Sequence, residues 1–201
     1  EMHQRMQFYV DAGILPCCAT AVFKGTDLVD HQTFGFMDLE TREPLRDDAI
    51  YRMASNTKLV TSVALMMLQE EGLFDLDDPL AKFMPEFGEM QVLQPHATTE
   101  ADVHRAKNLI SIRHLLSHSA GLSYGFVEPD SVIDQCYLND GINGLGEKDI
   151  DLEGLCARIA KLPLAFEPGT SWRYSFATDV CARLVEVLSG QSFDAFLRQR
   201  I

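Results

Sequence analysis

The sequence predicts a mixed α/β (α+β) domain, and three observations carry the prediction. One β-hairpin pattern stands near the N-terminus, a long apolar helical run occupies the first third, and helical periods recur from there to the last residue. The 201 residues amount to roughly one domain, with enough chain to bury a real core.

The first dozen residues place Met2, Met6, Phe8, Tyr9 and Val10 among polar partners, which predicts a short amphipathic helix closed by Gly13. Pro16 opens an extended stretch. Cys17–Lys24 and Leu28–Phe34, separated by Gly25, Thr26 and Asp27, predict a hairpin with a three-residue loop. An isolated hairpin is marginal in water, so this one must join a larger sheet or lie on helices. No other strand pair is expected. From Ser55 to Glu71 good helix formers dominate, apolar residues fall on most sides, and Gly72 is the stop, so this helix is expected to be central. Asp78 is expected to cap a short helix begun by Pro79. Residues 85–108, with two Pro, several acids and little periodicity, read as a surface excursion. Ile112–Ser117, Asp151–Leu162, Asp179–Leu188 before Gly190, and Phe193–Ile201 complete the helices.

Composition excludes several classes of function. Hydrophobic residues make up 46% and charged residues 23%, as in ordinary globular chains. Seventeen Lys and Arg against 30 Asp and Glu leave a net charge of −13, which repels phosphate backbones and anionic lipid. Nucleic acid and membranes are therefore not expected as partners, and the apolar run Val63–Leu68 is far shorter than the roughly 18 residues a spanning helix needs. Residues 1–6 show no secretory leader pattern, and five Cys (17, 18, 136, 156 and 181) form no C-x-x-C. A cytoplasmic setting with reduced, mostly buried thiols is expected.

Ser55-Asn56-Thr57-Lys58 places a hydroxyl and an amine at i and i+3, on one face at the mouth of the long helix. A Ser hydroxyl becomes a nucleophile when a neighbour takes its proton, and a Lys set against an apolar helix can lose its charge and do so. The positive end of the helix dipole favours the alkoxide and the oxyanion that follow. With eleven Ser and six Lys, about 0.33 matches to Ser-x-x-Lys arise by chance, so an N-cap Ser with a solvated Lys explains an isolated match as well. Tyr174 beside Trp172, taken alone, likewise reads as a core or turn aromatic.

Tyr51–Lys58 with Leu65–Pro79, then Ile112-Arg113-His114-Leu115-Leu116-Ser117-His118-Ser119-Ala120-Gly121-Leu122, then Glu167-Pro168-Gly169-Thr170-Ser171-Trp172-Arg173-Tyr174-Ser175 occur in one order across most of residues 13–200. Together they resemble the serine β-lactamase and penicillin-binding protein superfamily, most closely the esterases with a class C β-lactamase fold (family VIII carboxylesterases). The resemblance implies an antiparallel sheet flanked by helices plus a helical lobe, with Ser55 between them. It implies that Ser55 is the acylated nucleophile, Lys58 its proton partner and Tyr174 the tyrosine of the Tyr-x-Asn motif. Tyr124, Trp172 and Phe176 are the expected substrate contacts. Phe176 replaces the motif's Asn, which favours a simple ester over a β-lactam and suits an alkyl group.

The superfamily's third motif does not occur, and Phe193–Ile201 ends without a helix stop. Residues 1–201 are thus expected to be the N-terminal portion of a single domain, short of its last strands and of the second oxyanion donor. A C-terminal fragment or second chain would complete it. The expected partner is a small-molecule ester, with no cofactor and no metal. A β-lactamase, a D-amino-acid peptidase or a transacylase keeps the chemistry and changes the substrate. A non-catalytic binding or regulatory relative is the reading from another class.

Two further patterns compete. Gly121-Leu122-Ser123-Tyr124-Gly125 matches the G-x-S-x-G elbow, but that elbow follows a strand, and all six His precede Ser123, so Ser123 reads as a turn residue. His114 and His118 have a zinc spacing, but Leu115 stands where H-E-x-x-H has Glu, so hydrogen-bonding roles are expected. Asp75, Asp77 and Asp78 lack the spacing of a calcium loop.

Overall fold

A computed structural model describes residues 1–142, 144 and 150–201. The chain forms two units, residues 1–53 and 54–201.

In the first unit, α1 (Met2–Asp11) accompanies an antiparallel sheet of β1 (Cys17–Lys24), β2 (Asp27–Asp38) and β3 (Glu43–Pro44), in that order. Lys24 pairs with Asp27, so the hairpin loop is two residues rather than three, and Gly25 takes the positive φ of 64° that a tight turn requires. β2 runs past Phe34 because Phe36 and Asp38 pair with β3, a strand too short to leave a periodic signal. Gly35 is sterically required, since a Cβ there would lie 2.3 Å from the Pro16 carbonyl oxygen. α1 meets the sheet through His3, whose Nε2 lies 2.8 Å from Asp30 Oδ2.

Helices dominate the regular structure of the second unit. A 3₁₀ turn, Ala54–Asn56, runs into α2 (Thr57–Glu70), whose positions 61, 64, 65 and 68 form one buried stripe. Leu59 is 71% exposed and Val63 is exposed as well, so α2 buries one face and is not enclosed as its composition suggests. The stripe packs on α6 (Ala177–Ser189), where Ala177, Val180, Cys181, Leu184 and Val185 are buried. Each buried Val or Leu contributes about 1.5–3 kcal/mol. The other helices are α3 (Ile112–Leu116), α4 (Val132–Asp140), α5 (Leu152–Ile159) and α7 (Phe193–Arg200). Asp151 and Ser192 cap α5 and α7 by accepting from Gly154 N and Ala195 N.

Three local expectations change. Residues 85–108 contain a second strand pair, β4 (Gln91–Leu93) with β5 (Val103–Arg105), and Leu164 extends it by exchanging backbone bonds with Gln91 and Leu93. Val92 is buried there, so the segment is part of the core rather than only an excursion. α4 was not expected, yet Ser131 caps it and Gly141 closes it at φ 78°. Asp78 does not cap the 3₁₀ turn Leu80–Lys82; its carboxylate accepts instead from Asp75 N and Lys82 Nζ. All five cysteines are unpaired, with Cys136, Cys156 and Cys181 buried. Among the described residues no helix is long and apolar enough to cross a membrane.

Candidate active site

The 3₁₀ turn that opens α2 presents Ser55 on the surface, and Lys58 follows one turn on, half-buried. Ala54, just before Ser55, has φ 46°, a left-handed conformation that costs a non-glycine residue about 1–3 kcal/mol and is found where geometry is held for function.

Opposite lies a strap built from two distant segments. Gly121 O accepts from Ala165 N, Ser119 O from Gly169 N, His118 O from Arg173 N, and Ser123 O from Phe176 N, so residues 118–123 carry residues 165–176 along their edge. Gly121 is required for this approach: its φ is 87° and a Cβ would lie 2.5 Å from the Phe166 carbonyl oxygen. Gly121→Ala is therefore expected to destabilise the fold by about 2 kcal/mol or more, read as a lower urea midpoint at unchanged m. An unshifted midpoint would show that the strap is loosely held.

The strap delivers Tyr174 to Ser55. The Tyr174 hydroxyl lies 2.6 Å from Ser55 Oγ, across 119 residues of sequence. Lys58 Nζ sits 4.8 Å from the centre of the Tyr174 ring and 5.7 Å from that of Tyr124. Burial pushes the Tyr174 phenol up, but the Lys58 ammonium and the Ser55 hydroxyl together pull it lower, to a net value below that of an ordinary tyrosine. Tyr174 thus contacts Ser55 through its hydroxyl and Lys58 across its ring. A cleft of about 380 Å³ reaches Lys58 between Thr61, Leu152, Asp179 and Phe193.

This constellation can be set beside known proteins. Residues 3–201 match the family model described as Beta-lactamase. The chain belongs to the beta-lactamase family. It is 36% identical over 162 residues to esterase EstB of Burkholderia gladioli, covering 80% of this chain and 38% of that protein. It is 34% identical over 147 residues to acyltransferase calJ of Penicillium decumbens, covering 73% of this chain and 34% of that one. Among solved structures it is similar to EstCE1, a hydrolase with promiscuous acyltransferase activity, at TM-score 0.85 and 27% identity over 99% of this chain and 49% of that chain. The chain therefore spans about half or less of these relatives' lengths. Its helices and small antiparallel sheets are those of the beta-lactamase fold.

Within this beta-lactamase-family chain the other singled-out residues separate clearly. Tyr124 is buried, its ring 5.5 Å from Tyr174, and its hydroxyl donates to Asp179 Oδ2 at 3.3 Å. Trp172, on the strap, is 65% exposed and edge-on to His118 at 6.2 Å. Phe176 is 1% exposed, packed between Tyr124 and Tyr137, so its ring supports Tyr124 from behind and offers no surface to an alkyl group.

Ser123, the elbow candidate, is fully buried and structural. Its hydroxyl donates to Asp134 Oδ1 at 2.5 Å and accepts from Arg173 Nε at 2.6 Å. It stands in a polar network rather than at a strand-to-helix elbow. His114 Nδ1 accepts from Ser111 N and closes the capping box of α3. His118 takes φ 54°, places Nδ1 3.3 Å from Ser175 Oγ, and lies 5.0 Å from the Tyr174 ring.

Burial lowers the pKa of both histidines, and the Lys58 charge lowers that of His118 further. Between the lowered folded values and about 6.5 the unfolded chain binds more protons. Their contribution to stability is full above about pH 6.5 and is lost as pH falls through the folded values. His118→Asn, which tolerates the left-handed backbone, is expected to shrink this acid loss in urea midpoints measured across pH. An unchanged slope would mean that His118 is not held neutral.

Proposed function

We propose that the polypeptide to which these residues belong is a serine acyl-transfer enzyme that cleaves small carboxylic esters with short acyl chains. The observation that carries the proposal is the 2.6 Å contact between Ser55 Oγ and the Tyr174 hydroxyl beside the Lys58 ammonium. Tyr174, as phenolate, takes the Ser55 proton while Oγ attacks the ester carbonyl. The Ser55 amide is assigned to the resulting oxyanion, and the Lys58 ammonium favours the phenolate form of Tyr174. Collapse of the tetrahedral species expels the alcohol, which receives the proton from Tyr174. Water or a second alcohol, deprotonated by Tyr174, then releases the acyl group by the reverse steps. The similarity to esterase EstB supports esters as the substrate class. Five unpaired thiols support a cytoplasmic setting.

Transfer to an alcohol is the second reading, favoured by the similarity to calJ and to EstCE1. The test is exposure of the full-length protein to p-nitrophenyl butyrate with and without added butanol. A butyryl adduct on Ser55, seen by peptide mass spectrometry, is the expected result, and butyl butyrate formed faster than butyrate would select transfer over hydrolysis. Absence of any adduct at Ser55 would leave the non-catalytic alternative, and nitrocefin hydrolysed as fast as the ester would replace the substrate class.

A further inference from the structure

Tyr174 lies in a stretch, residues 172–176, that is neither helix nor strand, held through its backbone by the bonds of Arg173 N and Phe176 N on either side of it. The residue before it is unusually well anchored. Arg173 donates from Nε to Ser123 Oγ at 2.6 Å, from Nη2 to Asp134 Oδ1 at 2.8 Å and from Nη1 to Glu128 Oε2 at 2.8 Å. Asp134, on α4, is fully buried, and its second oxygen accepts from Glu128 N at 2.6 Å. Ser123 belongs to the same network and also accepts from Phe176 N through its carbonyl, so one residue grips the strap on both sides of Tyr174. A guanidinium is suited to this because its rigid fork fixes direction as well as distance.

A buried ion pair is weak evidence of stabilisation, since an apolar replacement of both partners is often neutral. Its geometric consequence is firmer. α4 contributes no residue to the Ser55 site, yet its one buried carboxylate is spent on the neighbour of Tyr174. We propose that Arg173, held by Asp134, Ser123 and Glu128, is a positioning residue that keeps the Tyr174 hydroxyl on Ser55. This rests on the reading of Tyr174 as the proton acceptor of Ser55.

The experiment is a double-mutant cycle in the full-length protein, following p-nitrophenyl butyrate turnover, Ser55 labelling by a fluorophosphonate, and melting temperature. Arg173→Gln is expected to lower kcat by about 100-fold with KM changed less than about twofold, as for a misplacement of about 1 Å. Arg173→Lys should restore about tenfold of this, because a point charge reaches Asp134 without the fork. In a Tyr174→Phe background, Arg173→Gln should cost less than about twofold more, since a positioning residue has nothing left to position. An equal loss in both backgrounds, or a lowered melting temperature with kcat intact, would overturn the proposal. Should Arg173→Gln fail to fold, Glu128→Gln removes one anchor at a side chain that is 64% exposed. It is expected to lower kcat by roughly three- to tenfold in the wild-type background alone, and loss in both backgrounds again refutes the role. Failure of the functional reading is separable: the unsubstituted protein would then not be labelled at Ser55 at all, whereas labelling that ignores Arg173 overturns only the positioning.

Discussion

Ser55→Ala in the full-length protein is expected to lower ester turnover by at least about 10⁴-fold, as removal of a nucleophile does elsewhere, and to abolish fluorophosphonate labelling. The side chain is exposed and its hydroxyl is spent on Tyr174, so its loss removes the proposed attacking atom while leaving packing untouched. Stability should therefore stay within about 0.5 kcal/mol of the parent in urea titration. Ser123, the other serine flanked by a hydrolase-like motif, is fully buried with its Oγ bonded to Asp134 and Arg173. An adduct that survives in Ser55→Ala would place the nucleophile elsewhere and end the present assignment. Turnover and every other property unchanged in the variant would instead support a binding or regulatory role.

Some of this site was open to sequence reading because it rests on local rules. The Ser55–Lys58 spacing, the helix after it and its stop at Gly72 follow from 3.6-residue periodicity and helix termination, and α2 forms where these place it. The hairpin of β1 and β2 followed from two extended runs on either side of a loop containing Gly25. What joins Ser55 to Tyr174 is not local: 119 residues separate them, and family resemblance rather than any periodicity linked them. Distance in sequence also hid β4 and β5, three-residue strands whose third partner is Leu164. α4 was legible in part, since Ser131 with Asp134 three residues on and Gly141 at the end are helix termini signals. They were obscured because the helix carries its buried polar residue, Asp134, where periodicity looks for an apolar one. Phe176 was misplaced for a related reason. Position in a motif identifies which residues gather, whereas burial behind Tyr124 and Tyr137 is decided by tertiary packing. Ser123 reads as a turn residue by composition, and only the fold shows it to be the hub that ties residues 173 and 176 together.

Tyr174→Phe is the companion test, expected to slow acylation by about 10²–10⁴-fold, the usual worth of a positioned general base. The change deletes one oxygen from a half-buried ring that still packs against His118 and Tyr124, so the fold should be retained. Its pH dependence distinguishes a base from a bystander. Burial raises the phenol's pKa, Lys58 and Ser55 lower it by more, and the net value is below the ordinary tyrosine range. In the proposed mechanism the phenolate is the active form, so kcat/KM should rise with pH through that lowered pKa and then level off. Tyr174→Phe should lose this limb, leaving a low, flat profile. Lys58→Met should keep the limb but move it to higher pH, because removing the ammonium withdraws the charge that holds the phenol down. A Tyr174→Phe variant that retains the parental limb would transfer the role to another titrating group. His118, with its ring 5.0 Å from Tyr174, is the neighbour that would then be tested, and a limb in the histidine range would identify it.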